Sequence, residues 1–319
     1  SSAASDVYKR QIYSRAMIKC TMYKVAILLA TSIITTNLHA AGHEDLCTEE
    51  SDSTEEKNTV IKMDEPAFDN RFTAHSMLIG VGSANVLDTY LSPYNYTGPE
   101  IRLQRETMRF TKMANGRISV QTLLQANCSY VENRSQTAHE VAGGLRYAIG
   151  WHYNFKPVLG GIRFLAGAMA SAYIGGIYNT RNSNNPAQGK ADIMIDLSGM
   201  AMYNLKIGKH NYLLRYQVNI PLAGVAFSPN YGQSYYELFS LGHYDKNVKF
   251  VYPVNMPSMR HLLTVDIPIS TATLRLGYAG DFQQAKLNGL KYHSYSNCFM
   301  IGFVKYFNRK DRRMKAMPF

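Results

Sequence analysis

Apolar and polar residues alternate along most of the chain after residue 72. One stretch carries an apolar or small residue at every second position, namely Ile193, Ile195, Leu197, Gly199, Ala201, Tyr203 and Leu205. Asp192, Asp196 and Ser198 lie between them. Because successive side chains of a β-strand point to opposite faces, this pattern predicts strands with one apolar and one polar face.

Ten such segments are predicted as strands, near residues 74–85, 99–112, 116–131, 138–153, 157–178, 187–206, 210–222, 258–269, 271–286 and 291–307. Short turns are predicted at 113–116, 154–157, 207–210 and 268–271, and longer loops at 86–98, 132–137, 179–186, 223–257 and around 287–290. Alternating short and long connections are typical of transmembrane β-barrels.

We therefore predict an all-β fold over residues 73–307: a transmembrane antiparallel β-barrel of about ten strands, with twelve as the alternative. A soluble sandwich or a lipocalin-like barrel is the rival prediction. Soluble strands are usually five or six residues long, which is shorter than these segments. In the segment 99–112, Arg105 and Arg109 fall on the same face as Ile101 and Leu103. That placement predicts a bulge there, or a strand end above the membrane.

The chain before the barrel divides into three parts. Residues 1–16 begin with Ser1–Gln11, which resembles translated sequencing-adapter sequence, so we interpret them as a non-native leader preceding Met17 or Met22. Residues 17–40 have the basic and apolar regions of a signal peptide, and their apolar run is shorter than the roughly 20 residues that span a bilayer. Residues 41–72 carry ten Asp/Glu against three Lys/Arg and are predicted to be a disordered periplasmic linker.

The charge of the body indicates which partners to expect. The net charge is +11 for the whole chain, and residues 73–319 carry 26 Lys/Arg against 12 Asp/Glu. These basic residues are scattered through the β pattern, apart from a basic tail at 308–319, so nucleic-acid binding is not predicted. The expected partners are outer-membrane lipid and lipopolysaccharide. We predict the outer membrane of a Gram-negative bacterium, with the N-terminus and the C-terminus in the periplasm.

If the apolar faces point to lipid, the charged residues between them line the lumen. The predicted lumen network comprises Arg146, Arg163, Asp192, Asp196, Arg215, Asp266 and Arg275, with Arg102 and Glu106 as companions. A ten-stranded barrel is narrow, and buried charges must be paired. The network is therefore either a structural plug or the selectivity ring of a small anion-favouring pore. Arg163, Arg215, Asp266 and Arg275 are predicted to form one charged layer.

Enzyme chemistry has weak support in the sequence. Lipid-hydrolysing barrels place His and Ser two residues apart, whereas His293 and Ser296 are three apart, on opposite faces of a regular strand. A rim protease would need paired acids and a His from the set Asp88, Glu132, His139, Glu140 and Asp281, whose spacing is unspecific. No catalytic, cofactor-binding or metal-binding residue is predicted, and no cofactor. The question of an enzyme stays open, with a non-enzyme favoured.

The segment His75–Phe110, with its Tyr-Leu-Ser-Pro-x-x-Tyr-x-Gly turn, resembles an uncharacterised family of outer-membrane barrel proteins of Bacteroides-type Gram-negative bacteria. The resemblance implies the barrel over residues 73–307 and brings no functional residues. The expected role is a structural or interaction barrel with a plugged, charge-paired lumen, whose 223–257 loop meets a protein partner or caps the barrel. The alternatives are a small-solute channel or transporter and, third, a hydrolase acting at the rim or the lipid face.

Overall fold

The described part of the protein is built almost entirely of β-strands. A computed structural model describes residues 72–157, 161–183, 185–208, 210–244, 246–269 and 272–308. The predictions for the leader, the signal peptide, the linker before residue 72 and the tail after residue 308 fall outside these ranges. The elements are β1 (Phe72–Asp88), β2 (Tyr96–Phe110), β3 (Ile118–Asn133), β4 (His139–Asn154), β5 (Arg163–Asn179), β6 (Ala187–Ile207), β7 (His210–Phe227), α1 (Tyr235–Phe239), β8 (Val248–Val251), β9 (Ser258–Ile269), β10 (Ala272–Leu287) and β11 (Leu290–Asn308).

Ten of these strands close into an antiparallel barrel. Each long strand pairs with its neighbours along the chain, β7 pairs with β9, and β1 pairs with β11 to close the ring. The short strand β8 extends the edge of β7 above the start of β9, through the pairs Gly224–Val251 to Phe227–Val248. The predicted ten-stranded barrel is confirmed, with β8 as one extra strand.

The strands are staggered by twelve residues around the ring. A walk along paired residues starts at Phe110 on β2 and returns to β2 at Gly98, twelve residues closer to its other end. It passes through Ser119, His152, Gly167, Ser198, Asn219, Arg260, Asp281, Ser296 and Ala84. A fixed stagger of this kind requires the strands to tilt against the barrel axis.

The polar faces of the strands point inward and the apolar faces outward. On β6, Asp192, Asp196 and Ser198 are buried, while Ile193 and Ile195 are 63% and 58% exposed. The barrel is therefore polar inside over much of its height, and apolar clusters fill the rest. One cluster occupies the end that holds both Phe72 and Asn308, here called the turn end because the two-residue connections β6–β7 and β9–β10 lie there. The opposite end, where the long connection between β7 and β9 lies, is called the mouth.

The predicted bulge in β2 does not occur. The pairs of β2 with β1 run in one register from Arg109 to Tyr96, and Arg105 and Arg109 both point outward and are exposed. The prediction of a bulge was therefore wrong. Its alternative, a strand end above the membrane, stays a prediction, and both residues lie in the half of β2 nearer the turn end. A bulge does occur elsewhere, where β7 pairs with β6 beside Ile195 and Asp196.

Three connections differ from the prediction. In the predicted 223–257 loop, β7 continues to Phe227, and the rest of the segment contains α1 and β8. The strand predicted at 157–178 begins only at Arg163, because Pro157 cannot donate a backbone hydrogen bond and Gly161 has a φ of 79°. The predicted longer loop around 287–290 is a two-residue turn in which Asn288 and Gly289 have φ values of 50° and 77°. An Asn-Gly pair with two positive φ angles is the preferred tight hairpin turn. Among the described residues, no helix has the length and apolarity needed to cross a membrane.

Candidate functional site

The interior carries nearly all the carboxylates of the barrel strands. Eight of these side chains face inward: Asp88, Glu100, Glu106, Glu140, Asp192, Asp196, Asp266 and Asp281. The ninth, Glu132, faces outward near the mouth, where its Oε2 lies 3.7 Å from Nδ1 of His139. Negative charge is thus concentrated in the lumen, where it meets inward arginines.

A lower network surrounds Glu106, which is 2% exposed. Arg215 donates to both carboxylate oxygens of Glu106 at 2.6 and 2.7 Å, and Arg275 donates to Oε2 at 3.1 Å. Arg275 also donates two bonds of 2.6 Å to Asp266, which accepts a third bond from the Tyr306 hydroxyl at 3.0 Å. Two carboxylates and two guanidinium groups therefore form one neutral network across the lumen between β2, β7, β9 and β10.

Uncharged polar side chains extend this network toward β4 and β6. Gln121 donates to Glu106 at 2.7 Å, and Gln121 and Gln217 exchange amide hydrogen bonds of 2.9 and 2.8 Å. Ser198 then links Gln217 to His152, whose Nε2 lies 2.8 Å from the Ser198 hydroxyl. These bonds cross the lumen from one wall to the other, so the plane of the network is filled by side chains.

An apolar floor closes the turn end beneath the lower network. Its buried members are Ala74, Met108, Phe110, Leu165, Met200, Met202, Leu213, Val304 and Tyr306. A cavity of about 10 Å³ separates part of this floor from Glu106 and Arg215. That space is about the minimum that one water molecule requires.

An upper network lies between the lower network and the mouth. Arg102 donates to Glu100 at 2.7 Å and to the Ser296 hydroxyl at 2.8 Å. Arg146 donates to Asp192 at 3.4 Å, and Arg260 pairs with Asp196. Asp281 lies opposite Arg260 on the neighbouring strand and is half-buried. Three arginines and four carboxylates thus share this level of the barrel.

Tyr173 packs flat against the wall beside Arg146, whose guanidinium carbon lies 4.8 Å from the centre of the ring. Glycine makes this position possible. A Cβ atom at Gly144 would lie 2.3 Å from the Tyr173 hydroxyl oxygen, and one at Gly175 would lie 2.5 Å from it. Any side chain at either position would push the ring into the lumen.

A lysine bridges the mouth from wall to wall. Nζ of Lys190 on β6 lies 2.7 Å from Oδ2 of Asp88 on β1, and the same ammonium nitrogen lies 4.0 Å from the centre of the Tyr292 ring. β1 and β6 stand on opposite sides of the ring, so this contact spans the opening. Nearby, Asn179 donates to the buried carboxylate of Glu140 at 2.8 Å.

Residues 228–257, here called the lid, fold over the mouth. Helix α1 of the lid begins with a capping box between Ser234 and Glu237. The Tyr235 hydroxyl accepts a 2.6 Å bond from the backbone N–H of Gly189 on β6. From the opposite side, the Tyr90 hydroxyl donates to the backbone carbonyl of Gln233 in the lid at 3.0 Å. The rings of Tyr90 and Tyr235 meet edge to face, with 5.8 Å between their centres.

Burial in this contact, with smaller contributions from Tyr235, Asp88 and Glu237, raises the pKa of Tyr90 to about 12. Tyr90 therefore keeps its proton and remains a hydrogen-bond donor throughout the physiological pH range. Beneath the lid lies a pocket of about 40 Å³ between Tyr173 and Asp192 on one side and Met256 and Leu287 on the other. It has room for about three water molecules at roughly 10–15 Å³ each.

A family model described as "Protein of unknown function (DUF3316)" matches residues 46–314 of the chain. The chain belongs to this family. No curated protein sequence matches it.

Among solved structures, the DUF3316 chain is similar to the outer-membrane protease OmpT of Escherichia coli (6% identity, TM-score 0.42, covering 76% of this chain and 98% of that one). It is also similar to the translocator domain of the autotransporter NalP of Neisseria meningitidis (10% identity, TM-score 0.35, covering 73% of this chain and 88% of that one). A third similar structure is the COG4313 outer-membrane channel of Pseudomonas putida F1 (9% identity, TM-score 0.33, covering 77% of this chain and 98% of that one). At these scores, the likenesses carry no inference about activity or ligand.

Most charged residues predicted for the lumen of this DUF3316 barrel are buried there. The upper network contains Arg146, Asp192 and Asp196, together with the companion Arg102. The lower network contains Arg215, Asp266 and Arg275, together with the companion Glu106. Arg163 is the first residue of β5, lies opposite Met202 on β6, and is half-buried. The bonds that join the lower network run through Glu106.

Sequence reasoning missed other inward charges, namely Glu100, Arg260 and Lys190 as members of the network. Arg260 stands six residues before Asp266 on β9, so the period-two rule already places both on one face. Glu100 likewise shares the face of Arg102 and Glu106 on β2. The signal was therefore present, and strand parity alone would have identified these residues.

The proposed enzyme constellations do not form among the described residues. His293 points outward, with its Nε2 2.8 Å from Asn85 Oδ1, whereas Ser296 is buried in the lumen in an unbroken register. Of the rim candidates, Glu132 and His139 pair on the outer surface, while the other three, Asp88, Glu140 and Asp281, face inward. Within the described ranges, no group of three metal-ligating side chains converges.

Proposed function

We propose that the protein is an outer-membrane β-barrel whose lumen is plugged by paired charges, and that it acts as a structural or interaction scaffold. The observation that carries this proposal is the inverted distribution of side chains, with ion pairs inside and apolar groups outside. Soluble proteins rarely expose contiguous apolar patches larger than a few hundred Å². On this barrel, exposed apolar side chains follow one another along the outer faces of β1, β4, β6 and β11.

Aromatic residues at the turn end support a membrane boundary there. Trp151, Tyr153, Phe155 and Phe164 are 50%, 37%, 45% and 45% exposed, and they lie at the turn end of β4 and β5. Trp and Tyr are enriched where a barrel passes from hydrocarbon to water. Both described ends of the barrel lie at the turn end, which we assign to the periplasm.

The mouth then faces the outside of the cell, where lipopolysaccharide forms the outer leaflet. Lys286 and Lys291 lie directly opposite each other beside the tight turn of β10 and β11, and both are exposed. Like charges in this position repel unless an anion lies between them. We propose lipopolysaccharide phosphate as that anion.

A structural role is favoured over a channel because the lumen is obstructed at several levels. The lower network, the apolar floor and the bridge of Lys190 and Asp88 each cross the full width of the barrel. Two pockets in the described part of the lumen hold about 40 and 10 Å³. A hydrated ion needs a continuous wet path, and the buried contacts at these levels stand in its way.

The lid supports a role in contacting a protein partner. Tyr235 faces the barrel, whereas Tyr231, Tyr236, Phe239 and Val254 are 76%, 67%, 67% and 80% exposed. Aromatic residues are enriched at protein interfaces. We therefore propose that the lid both caps the barrel and presents its outer aromatic residues to a partner.

Planar-bilayer conductance tests this proposal against the alternative of an anion-favouring channel. The full chain, folded into vesicles and fused to a planar bilayer, is expected to remain silent at 100 mV in 1 M KCl. A variant with the lid residues 230–246 replaced by a short Gly-Ser linker is expected to remain silent too, because the lower network lies below the lid. Steady, anion-selective current from the unaltered chain would instead support the channel and reject the plug.

A further inference from the structure

Arg105 is an exposed arginine surrounded by apolar side chains on the outer face of the barrel. Its neighbours across the two adjoining strands are Met77 and Leu124, and Leu103 lies two residues along β2. These three side chains are 66%, 38% and 44% exposed. An arginine among lipid-facing residues is unfavourable unless it reaches a polar partner, and such residues usually have a function.

A polar patch lies beside Arg105 on its turn-end side. His75 stands opposite Thr107 on β2 and opposite Lys305 on β11, and His75 Nδ1 lies 2.9 Å from the Thr107 hydroxyl. Arg105 and Arg109 flank Thr107 at two residues on either side, which is about 7 Å along a strand. Because an arginine side chain has about that reach, both guanidinium groups can meet over Thr107.

The strands offer these cations no carboxylate on the same face. Glu132 is the one outward carboxylate on the described strands, and it lies at the mouth end of β3, beside His139. Arg105, Arg109 and Lys305 are all exposed. The patch therefore presents positive charge to whatever surrounds the barrel at this height.

We propose that the patch of Arg105, Arg109, His75 and Lys305 binds the headgroup phosphate of an anionic phospholipid in the leaflet at the turn end. Guanidinium groups bind phosphate oxygens in pairs, and a long side chain can bend from the apolar zone toward the headgroups. The exposed side chains of Met77 and Phe303 lie on the mouth side of His75 and Lys305, where they would contact the acyl chains. This inference rests on the proposed membrane location.

The test is native mass spectrometry of the full chain in nonionic detergent, titrated with phosphatidylglycerol. The unaltered chain is expected to retain bound lipid. A basic residue near an anionic lipid surface contributes about 1 kcal/mol, which is about fivefold in affinity. We therefore expect about fivefold weaker retention in Arg105→Leu and about 25-fold in the double variant with Arg109→Leu. Arg134→Leu, which removes an exposed arginine from the mouth-end loop between β3 and β4, is the matched control and should retain lipid as the unaltered chain does.

Several outcomes would overturn the proposal. Equal retention by Arg105→Leu and the unaltered chain would remove Arg105 from the site. Displacement of the lipid by millimolar inorganic phosphate would indicate a site for free phosphate rather than for a lipid. If Arg105→Leu does not fold, Arg105→Lys, which keeps the charge and loses the paired donors, should still reduce retention. Failure of the membrane location itself would look different: the unaltered chain would not insert into vesicles of any lipid composition.

Discussion

Replacing Glu106 by glutamine tests whether the lower network is a dry, charge-paired plug. Glu106 accepts bonds from Arg215, Arg275 and Gln121, and its network holds two negative and two positive groups. Glu106→Gln keeps the shape of the side chain and leaves one surplus positive charge among side chains that are 5% exposed or less. Breaking a buried ion pair by removing one partner costs about 3–5 kcal/mol, whereas an exposed pair contributes about 0–1 kcal/mol.

We expect Glu106→Gln to lower the free energy of unfolding by about 3–5 kcal/mol. Urea unfolding in phospholipid vesicles, followed by the emission of the single tryptophan Trp151, measures it. Gln104→Leu is the matched control, because Gln104 is 4% exposed on the same face of β2 and its Nε2 has no partner within the described structure. That change should be neutral or stabilising. Adding Arg215→Met to Glu106→Gln restores neutrality and should recover much of the loss.

The reasoning would be refuted if Glu106→Gln cost less than about 1 kcal/mol, the value of a solvated pair. Such a result would mean that water reaches the network and screens its charges. The lumen would then be wet at this level, and the argument for a closed barrel would lose its main support.

Three further predictions concern the lid, the wall and the outer face. Tyr235→Phe removes the hydroxyl that bonds to the Gly189 N–H, so trypsin should cleave within 228–257 several-fold faster, while the urea midpoint of the barrel stays unchanged. Gly144→Ala would bring a methyl group into the Tyr173 ring, so the free energy of unfolding should fall by about 1–3 kcal/mol. The same urea titration measures this change, and an unchanged free energy would mean that the ring moves freely. Trp151 faces outward, so lipids brominated on their acyl chains should quench its emission strongly, and absence of quenching would contradict the membrane assignment.

The barrel was predictable because its strands carry an uninterrupted period of two. β9 was predicted at 258–269, as observed, and most other strands within about three residues of their bounds. The errors lie where local geometry matters more than the period. The Asn288–Gly289 pair needed its positive φ angles to be recognised as a tight turn. Arg105 and Arg109 led to the prediction of a bulge or of a strand end above the membrane, because two outward arginines did not fit an apolar face, and the register excludes the bulge.

The candidate site was predictable as a set of residues, but its pairing was not. Strand parity places Glu106 and Arg215 in the lumen, yet they belong to β2 and β7 and are 109 residues apart. Which carboxylate meets which arginine depends on the twelve-residue stagger and the side-chain lengths, which the sequence does not state. The lid segment was predicted as a loop. Its contact with Tyr90 could not be predicted, because it joins two loops that are 143 residues apart in sequence and meet over the mouth.

The seam between β1 and β11 joins the first and last strands of the described chain, and every residue of β1 takes part in it. Until β11 emerges, the other strands can form only an open sheet with two unsatisfied edges, which is prone to pair with other chains. The two edges of this sheet, β1 and β11, must also meet across the largest sequence separation in the described fold, and such non-local pairing slows folding. Biogenesis therefore has to keep the polypeptide protected until its final strand is available, and premature termination before residue 290 should leave a chain that cannot close.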